Sequence, residues 1–387
     1  MKLSIKDLSG ILTTWITENK IANGSFVESR DNTVGLLDTI GKIFTITTNF
    51  VDKLASFDGE DLSFGKTVEE WASDLILPED YDPTGANALS PHYSTYRPVY
   101  FSYTLGRKKI PQTIKYNDIE RCVHNEGQMV SIIEDKTRKM YDSETMLKYG
   151  IKRQAFGVLA GMCVYDMDGS HADFSTTSAS NSWATLSSGV KGDVNQKLYI
   201  NITGGTYNGV YIVVKPISAT ETKTPAQLIA GGYLILLQLA QEIAIPVDTS
   251  TGEDFVEQVK MDVEVASDYS EGHSLNGNTL GATPENGLVL LLKQGLLPKL
   301  EVRVEAGAFH EAKVALPARV IVVPDFGSAD DKIYGILADE RILRLYNTYR
   351  AVRENGNGDG DFLNLFFHTE NTCHVSRNCF VKVYMDD

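Results

Sequence analysis

YNDIERCVHNEGQMVSIIEDKTRKMYDSETMLKYGIKRQAFGVLAGMC, residues 116–163, is the stretch on which the fold turns. Met129, Ile133, Met140, Leu147 and Ile151 recur at four- and seven-residue steps, which puts them on one narrow apolar stripe of a helix. Glu134 with Arg138, Asp135 with Lys139 and Glu144 with Lys148 stand acid before base at i,i+4 on the wetter faces. No proline falls between Gln112 and Val214. A helix from Glu126 to Met162 would be on the order of 55 Å long, more than an ordinary compact domain spans, so such a rod lies along a surface with only its stripe buried. The other reading is a helical hairpin broken near Asp142 and Ser143, with Ser143 capping a second helix that starts at Glu144.

Working outward, the chain has 387 residues, room for two or three domain-sized cores, and its 42% hydrophobic content is that of a globular protein. Fifty-one acids against 36 bases leave a net charge of -15, which argues against a nucleic-acid reader or an anionic-membrane binder. Cys122, Cys163, Cys373 and Cys379 lack the paired spacing of a zinc site and read as reduced thiols. The start, MKLSIKDLSG, has no apolar core of signal-peptide length, and the apolar run Leu228–Leu237 is too short to span a bilayer. Synthesis in a cytoplasm is the expectation.

Upstream of the helix, Ser4 to Lys20 carries Leu8, Ile11, Leu12, Trp15 and Ile16 on one side, an amphipathic arm that needs a surface to cover. IFTITTNFV, residues 43–51, leans toward strand or strap. Ser56 to Pro98 holds four prolines, and between Asp58 and Asp82 there are nine carboxylates and one lysine, Lys66. So charged and so poor in core residues, it reads as an extended excursion. VYFSYTLGRKKIPQTIKY is the returning strand, turning basic at Arg107, Lys108, Lys109 and Lys115.

Downstream, residues 166–193 are rich in Ser, Thr, Gly and Asp and lead into KLYINITGGTYNGVYIVVKP, two β-runs joined by glycine turn signals. Thr224-Pro225 opens a helix expected to run through Ile245. Glu257 to Ala266 reads as a strand, Asn286 to Gln294 as strand or helix, LPKLEVRVEAGAF as a strand with a turn, and LPARVIVVPDF as a strand. The tail, from ILADERILRLYNTYRAV through FLNLFFHTENTCHVSRNCFVKVY, alternates strands and turns.

Catalytic chemistry is not legible. NGNGDGDF, residues 355–362, imitates a calcium loop, but Phe366 stands where a bidentate Glu is needed, so a polar hairpin turn is the better reading. DMDGSHAD, residues 166–173, reads as a linker turn rather than a metal or phosphoryl-transfer acid pair. His171, Asp173 and Ser175 are too close in sequence to read as a triad, and there is no G-x-S-x-G, Walker or H-E-x-x-H motif. Glu69 and Glu70 sit among too many carboxylates to look tuned. No catalytic, cofactor-binding or metal site is assigned, and no cofactor is expected.

The order of elements resembles the major capsid proteins of tailed phages, an α+β fold of the Hong Kong 97 type. SFGKTVEEWASDLILPEDYDP with the return strand and helix is similar to the extended loop and spine helix of capsid proteins from small short-tailed phages. NGLVLLLKQGLLPKLEVRVEAGAF, LPARVIVVPDF and the tail are similar to the axial-domain and closing peripheral strands. The resemblance implies an N-terminal arm over 1–55, an extended loop over 56–112, a peripheral domain with the spine helix over 113–165, a β insertion or connector over 166–215, an axial domain over 216–335 and closing strands over 336–387. It implies a structural subunit, not an enzyme, that self-assembles through pentamers and hexamers into an icosahedral virion shell. The shell would enclose double-stranded DNA without sequence-specific binding, with scaffold and portal proteins as partners and no membrane. In such a shell the extended loop lies across the next subunit, which makes Glu69, Glu70, Trp71, Arg107, Lys108, Lys109, Lys148, Lys152, Arg153 and Trp15 the candidate inter-subunit contacts. A cellular compartment shell of the same fold, or an α/β enzyme built on residues 224–326, are the competing readings.

Overall fold

The computed structural model describes residues 49–62, 65–73, 81, 83–85, 96–99, 102–115, 126–164, 171–175, 183, 199–203, 205–215, 217–218, 220–278, 280–307, 316–327 and 332–386. The chain divides into a unit of residues 1–49 and one of residues 50–387, and the description below is of the second. Residues 1–48, which include the amphipathic stretch Ser4–Lys20 and Trp15, lie outside the described residues.

Helix α1 runs unbroken from Glu126 to Val164, 39 residues. Ser143 does not cap a second helix: its hydroxyl donates back to the Lys139 carbonyl at 2.8 Å, and Thr145 does the same to Tyr141 at 3.0 Å. Those bonds keep both side chains inside a continuous helix, so the hairpin reading falls. The buried face contains Met140, Phe156, Leu159, Ala160 and Cys163, but also Glu144 and Lys152. Leu147 and Ile151 of the expected stripe are half-buried.

Lys152 corrects the expectation that it faces a neighbouring subunit, because it is completely buried inside its own chain. Its ammonium donates to Asp52 Oδ2 at 2.5 Å, Asp58 Oδ1 at 2.7 Å and the Leu54 carbonyl at 2.9 Å. Three acceptors match the three protons of a lysine. One helical turn to either side, Phe50 meets Tyr149 edge-on at 5.6 Å and Phe57 meets Phe156 at 5.0 Å. The segment 50–58, with its 3-10 turn Ala55–Phe57, is therefore fastened along α1 at three levels. Glu144, the second buried charge of the helix, accepts from Arg350 at 2.6 Å and is ion-paired with Lys148 at 3.2 Å.

Strands β1 (Glu70–Ser73), β2 (Tyr96–Val99), β3 (Ser102–Thr104) and β4 (Lys108–Lys115) precede α1. After it come β5 (His171–Ser175), β6 (Tyr199–Thr203), β7 (Gly209–Val213), α2 (Pro225–Ala230), β8 (Leu234–Leu236), β9 (Ala240–Glu242) and α3 (Thr249–Ser267). The chain ends with β10 (Leu288–Lys293), α4 (Leu296–Gly307), β11 (Arg319–Val323), β12 (Ile333–Asp339), β13 (Leu343–Asn357), β14 (Phe362–Val375) and β15 (Val381–Met385).

The central sheet has the order β11-β10-β12-β15-β9. Val289 and Leu291 of β10, with Ile336 and Val383, pack into one core with Phe156 and Leu159 of α1. Leu288, Leu290 and Leu292, with Leu337 and Tyr384, pack into another with Phe255, Val259 and Val263 of α3. Alternate side chains serve opposite layers, and a sheet covered on both faces needs an uninterrupted apolar strand. That resolves Leu288–Lys293 as strand.

Three other expectations change. The helix opened by Pro225 stops at Ala230, because Gly231 and Gly232 follow and Gly232 takes φ 63°, a left-handed stop. Glu257 to Ala266 lies inside helix α3, whose start is capped by Asp248 and whose buried Phe255, Val259, Val263 and Ala266 keep helical spacing. LPKLEVRVEAGAF supplies most of helix α4, with Leu296 and Leu300 buried one turn apart. In addition, His171–Ser175, at the end of the presumed linker turn, forms β5 and pairs in parallel with β6. The sheet β5-β6-β7-β8 then closes a small core of its own around Trp183, Ile200, Ile202, Tyr211, Leu228 and Leu234. The two glycine-linked β-runs form its β6–β7 hairpin as expected.

NGNGDGDF is the turn of the long β13–β14 hairpin, with Asn357 paired to Phe362 and Asp361 at φ 49°. Strand β14 is flanked by β13 on one side and by β3 and β4 on the other. This sheet lies on α1 through Phe367 against Tyr141 at 5.5 Å and the Arg350–Glu144 pair.

Breaking one partner of a buried ion pair typically costs about 3–5 kcal/mol. Lys152→Ala is expected to lower the unfolding free energy of the unassembled subunit by about that amount in urea titration, since Asp52 would be left buried without its cation. Lys148→Ala, whose loss still leaves Glu144 its Arg350 partner, is expected to cost about 1 kcal/mol or less.

Candidate functional site

The acidic excursion leaves and rejoins the body through a two-stranded ribbon, β1 against β2, in which Glu70 faces Val99 and Ser73 faces Tyr96. A lone ribbon of this length is marginal in water, so its orientation depends on what holds its base. Two carboxylates do. Glu70 Oε2 lies 3.1 Å from His374 Nε2, and its Oε1 accepts from Ser376 at 2.7 Å and Asn378 at 3.1 Å. Glu370 of β14 accepts from Lys66 before the ribbon and from Arg107 after it, the latter at 3.2 Å. Arg107 also lies over the Tyr349 ring at 4.0 Å. The Lys66 carbonyl takes bonds from Thr372 at 3.0 Å and Thr104 at 3.2 Å, and Leu105 donates to Asn371. Both stems are thus tied to one strand and the few residues after it.

Burial pushes the Glu70 carboxyl up, but the bonds from His374, Ser376 and Asn378 outweigh it and hold the group below the usual carboxylate range. The bond from Lys66, aided by Arg107, holds Glu370 low against its desolvation. Beside Glu70 opens a cleft of about 670 Å³ lined by Glu69, Arg341, Arg344, His374 and Cys379 among others.

The sheet face turned away from α1 is basic and aromatic. Lys109, Pro111, Thr113 and Lys115 of β4 stand beside His368, Phe366, Asn364 and Phe362 of β14, and these beside Ala351, Arg353, Asn355 and Asn357 of β13. Lys109 lies 5.4 Å from the Phe366 ring centre. In a chain of net charge -15 this concentrates cations on one stretch of the sheet.

The sequence-derived contact residues distribute unevenly on this frame. Glu69, Arg107, Lys108 and Lys109 are exposed around the loop base and basic strand, and Trp71 falls in β1 opposite Pro98. Lys148 is engaged by Glu144, and Arg153 lies 3.5 Å from Asp325. Of the nine clustered acids, Asp58 serves Lys152, Asp61 accepts from Asn347 at 2.5 Å, and Glu70 is the loop clamp. Glu70, read from sequence as untuned, is therefore corrected to a positioning residue. Glu370, His374, Ser376 and Asn378 were missed, although polar residues at every second position from Glu370 to Asn378 were a usable sign. Cys163, Cys373 and Cys379 are free. Burial pushes the Cys379 thiol up to about 11 and Cys373 up to about 12, the opposite of a nucleophile. Among the described residues no cluster of His, Cys, Asp or Glu is arranged to hold a metal ion, and no helix is long and apolar enough to cross a membrane.

A spine helix, a sheet laid along it, a two-faced sheet beyond and a clamped ribbon at the edge define a shell-forming fold of the Hong Kong 97 type. The capsid of Staphylococcus phage Andhra contains a chain that matches with a TM-score of 0.57 at 10% identity, over 96% of this chain and 90% of that one. A chain in the structure of the head fiber and inner core protein gp22 of native bacteriophage P68 matches at 0.55 and 10% identity, over 95% and 90%. No curated protein matches the chain. The family model of the Phi29-like phage major capsid protein matches residues 12–189 and 276–381, so the chain belongs to that family and is a capsid shell subunit of a virion.

Because both clamp carboxylates are held low in the folded state, their contribution is complete above the ordinary carboxylate range, about pH 4–5, and is lost as pH falls through their depressed values. The melting temperature of the unassembled subunit is expected to fall on acidification below about pH 4, and Glu70→Gln with Glu370→Gln should flatten part of that fall.

Proposed function

We propose that this subunit closes into an icosahedral shell of pentamers and hexamers around packaged double-stranded DNA, and that neighbours are joined by the acidic loop of one copy lying on the basic sheet face of the next. The observation that carries the second part is charge asymmetry. The acids of the excursion, with Glu69 at its base, meet in the next copy a face offering Lys109, Lys115 and Arg353. Each exposed pair is worth at most about 1 kcal/mol, but the contact repeats at every subunit boundary. In this reading residues 1–55 are the arm, 56–112 the extended loop, 113–165 the peripheral frame, 166–215 an insertion, 216–335 the axial region and 336–387 the closing strands. Glu69, Trp71, Lys108, Lys109, Arg107 and Trp15 remain the proposed inter-subunit residues, while Lys148 and Arg153 reach a neighbour only by sharing their present carboxylates. Synthesis in the host cytoplasm, help from scaffold and portal proteins, contact with DNA without sequence readout and the absence of an enzymatic role complete the proposal. The acidic balance suits a wall that must not grip packed phosphates.

Charge reversal tests the joint. Glu69→Lys with Glu79→Lys is expected to leave the subunit's melting temperature nearly unchanged and to lower the yield of particles seen by electron microscopy, with partial rescue when Lys109→Glu and Lys115→Glu are added. Unchanged yield and salt sensitivity would contradict it. Removal of residues 1–20 is expected to spare the circular dichroism of the subunit and to impair assembly; an unfolded truncated chain would assign that helix to the core instead.

A further inference from the structure

The polar cluster at the loop base does not end at Glu70. Asn378, whose amide nitrogen donates to Glu70, accepts on its own oxygen from Asn276 at 2.7 Å and from Asn278 at 2.6 Å. The Asn276 backbone donates to the Arg377 carbonyl, and the backbone of Val381 donates to that of His273. Residues 272–278 are in turn seated against the inserted sheet. Tyr199 of β6 donates to the Leu275 carbonyl at 2.8 Å, and Gln238 donates to the Gly272 carbonyl. Two glycines make that fit possible: a Cβ on Gly272 would stand 2.0 Å from the Leu236 carbonyl oxygen, and one on Gly277 would stand 2.3 Å from Ile212 Cγ2. Both take left-handed backbone angles, φ 79° and 61°. A continuous path of packed, bonded groups therefore joins the extended loop's base to the inserted sheet.

The family model has no match over residues 190–275, the span that contains β6, β7, β8 and α3. Three of that sheet's four strands, β6 to β8, lie in the span, and they are joined to the loop base by the turn at which the family match resumes. Ser376 and Asn276 are buried, so the bonds are shielded from water and each lost partner leaves a buried polar group to be satisfied.

We propose that Glu70, Ser376, Asn378, Asn276 and Asn278 form a latch that couples the orientation of the extended loop to the inserted β5–β8 sheet. In the latched state Glu70 fixes the Asn378 amide, which holds Asn276 and Asn278 and keeps the 272–278 turn against Tyr199 and Ile212. Swinging the β1–β2 ribbon withdraws the carboxylate, leaves the Asn378 nitrogen without its acceptor, and loosens the turn and the sheet edge that rests on it. Glu70 and Asn378 are positioning residues in this scheme, and it holds for the single subunit whether or not the loop docks on a neighbour.

Hydrogen exchange read by mass spectrometry on the full-length unassembled subunit tests it. Glu70→Gln keeps the side chain's shape and removes its charge; it is expected to raise exchange at least about threefold both in residues 66–73 and in the distant residues 272–278 and 199–203. Asn378→Ala should give the same pattern. Asn347→Ala, which releases Asp61 on the same side of the loop without touching the network, should leave 272–278 unchanged. Increased exchange confined to 66–73 in Glu70→Gln, or an equal rise at 272–278 in Asn347→Ala, would overturn the coupling. If Asn378→Ala fails to fold, Glu70→Gln alone decides between these outcomes.

Discussion

A lysine buried completely within its own chain organises this subunit. Taking an ammonium out of water costs several kcal/mol, and Lys152 recovers that only because Asp52, Asp58 and the Leu54 carbonyl converge on it. All three belong to the segment that leads from the N-terminal unit toward the extended loop. The pair is thus a condition on geometry: α1 is in its place when residues 52–58 are in theirs, with Phe50 and Phe57 against Tyr149 and Phe156 to set the register. A set of apolar contacts alone would have tolerated sliding by a turn; a buried cation with three acceptors does not.

From that fixed line the rest is layered. Strand β14 lies on α1 and carries both loop clamps, Glu370 within it and the receptors for Glu70 at and just beyond its end. The closing strand β15 enters the two-faced sheet, so the frame that holds the loop is continuous with both main cores. In the assembly proposed above, buried pairs hold the subunit's own frame and the exposed charge of the core-poor excursion is left for contacts with neighbours. The separation of buried pairs from exposed charge in this chain follows that division of labour.

Much of this frame was legible in the sequence. The spacing of Met140, Leu147 and Ile151 and the absence of proline specified α1, and the glycine turns specified the β6–β7 and β13–β14 hairpins. Misreadings had a common cause. Residues 257–266 and 296–307 contain alternating Val, Glu and Leu that satisfy period two over a short window, whereas the side chains that pack, Phe255, Val259, Val263, Leu296 and Leu300, keep the helical period. The apolar run 228–237 read as helix because periodicity cannot separate a short buried strand from a helix, and only Gly231-Gly232 marked the stop. Lys152, Glu70 and Glu370 were illegible as buried or clamping charges because their partners lie 94 to 308 residues away in the chain. Charge pattern along a sequence sees i,i+4 neighbours, and no local rule places Asp52 beside Lys152 or Glu70 beside His374.

The claim that an intrachain frame, fixed at Lys152, carries a loop that serves the shell is tested most directly by electron cryomicroscopy of assembled particles, with each non-equivalent subunit built separately. The Lys152 contacts to Asp52, Asp58 and Leu54 are expected in every copy with α1, β13 and β14 superimposing closely, while the ribbon and excursion vary in tilt from copy to copy. A map in which Lys152 pairs with a neighbouring subunit, or in which residues 50–58 take different places on α1 in different copies, would contradict it.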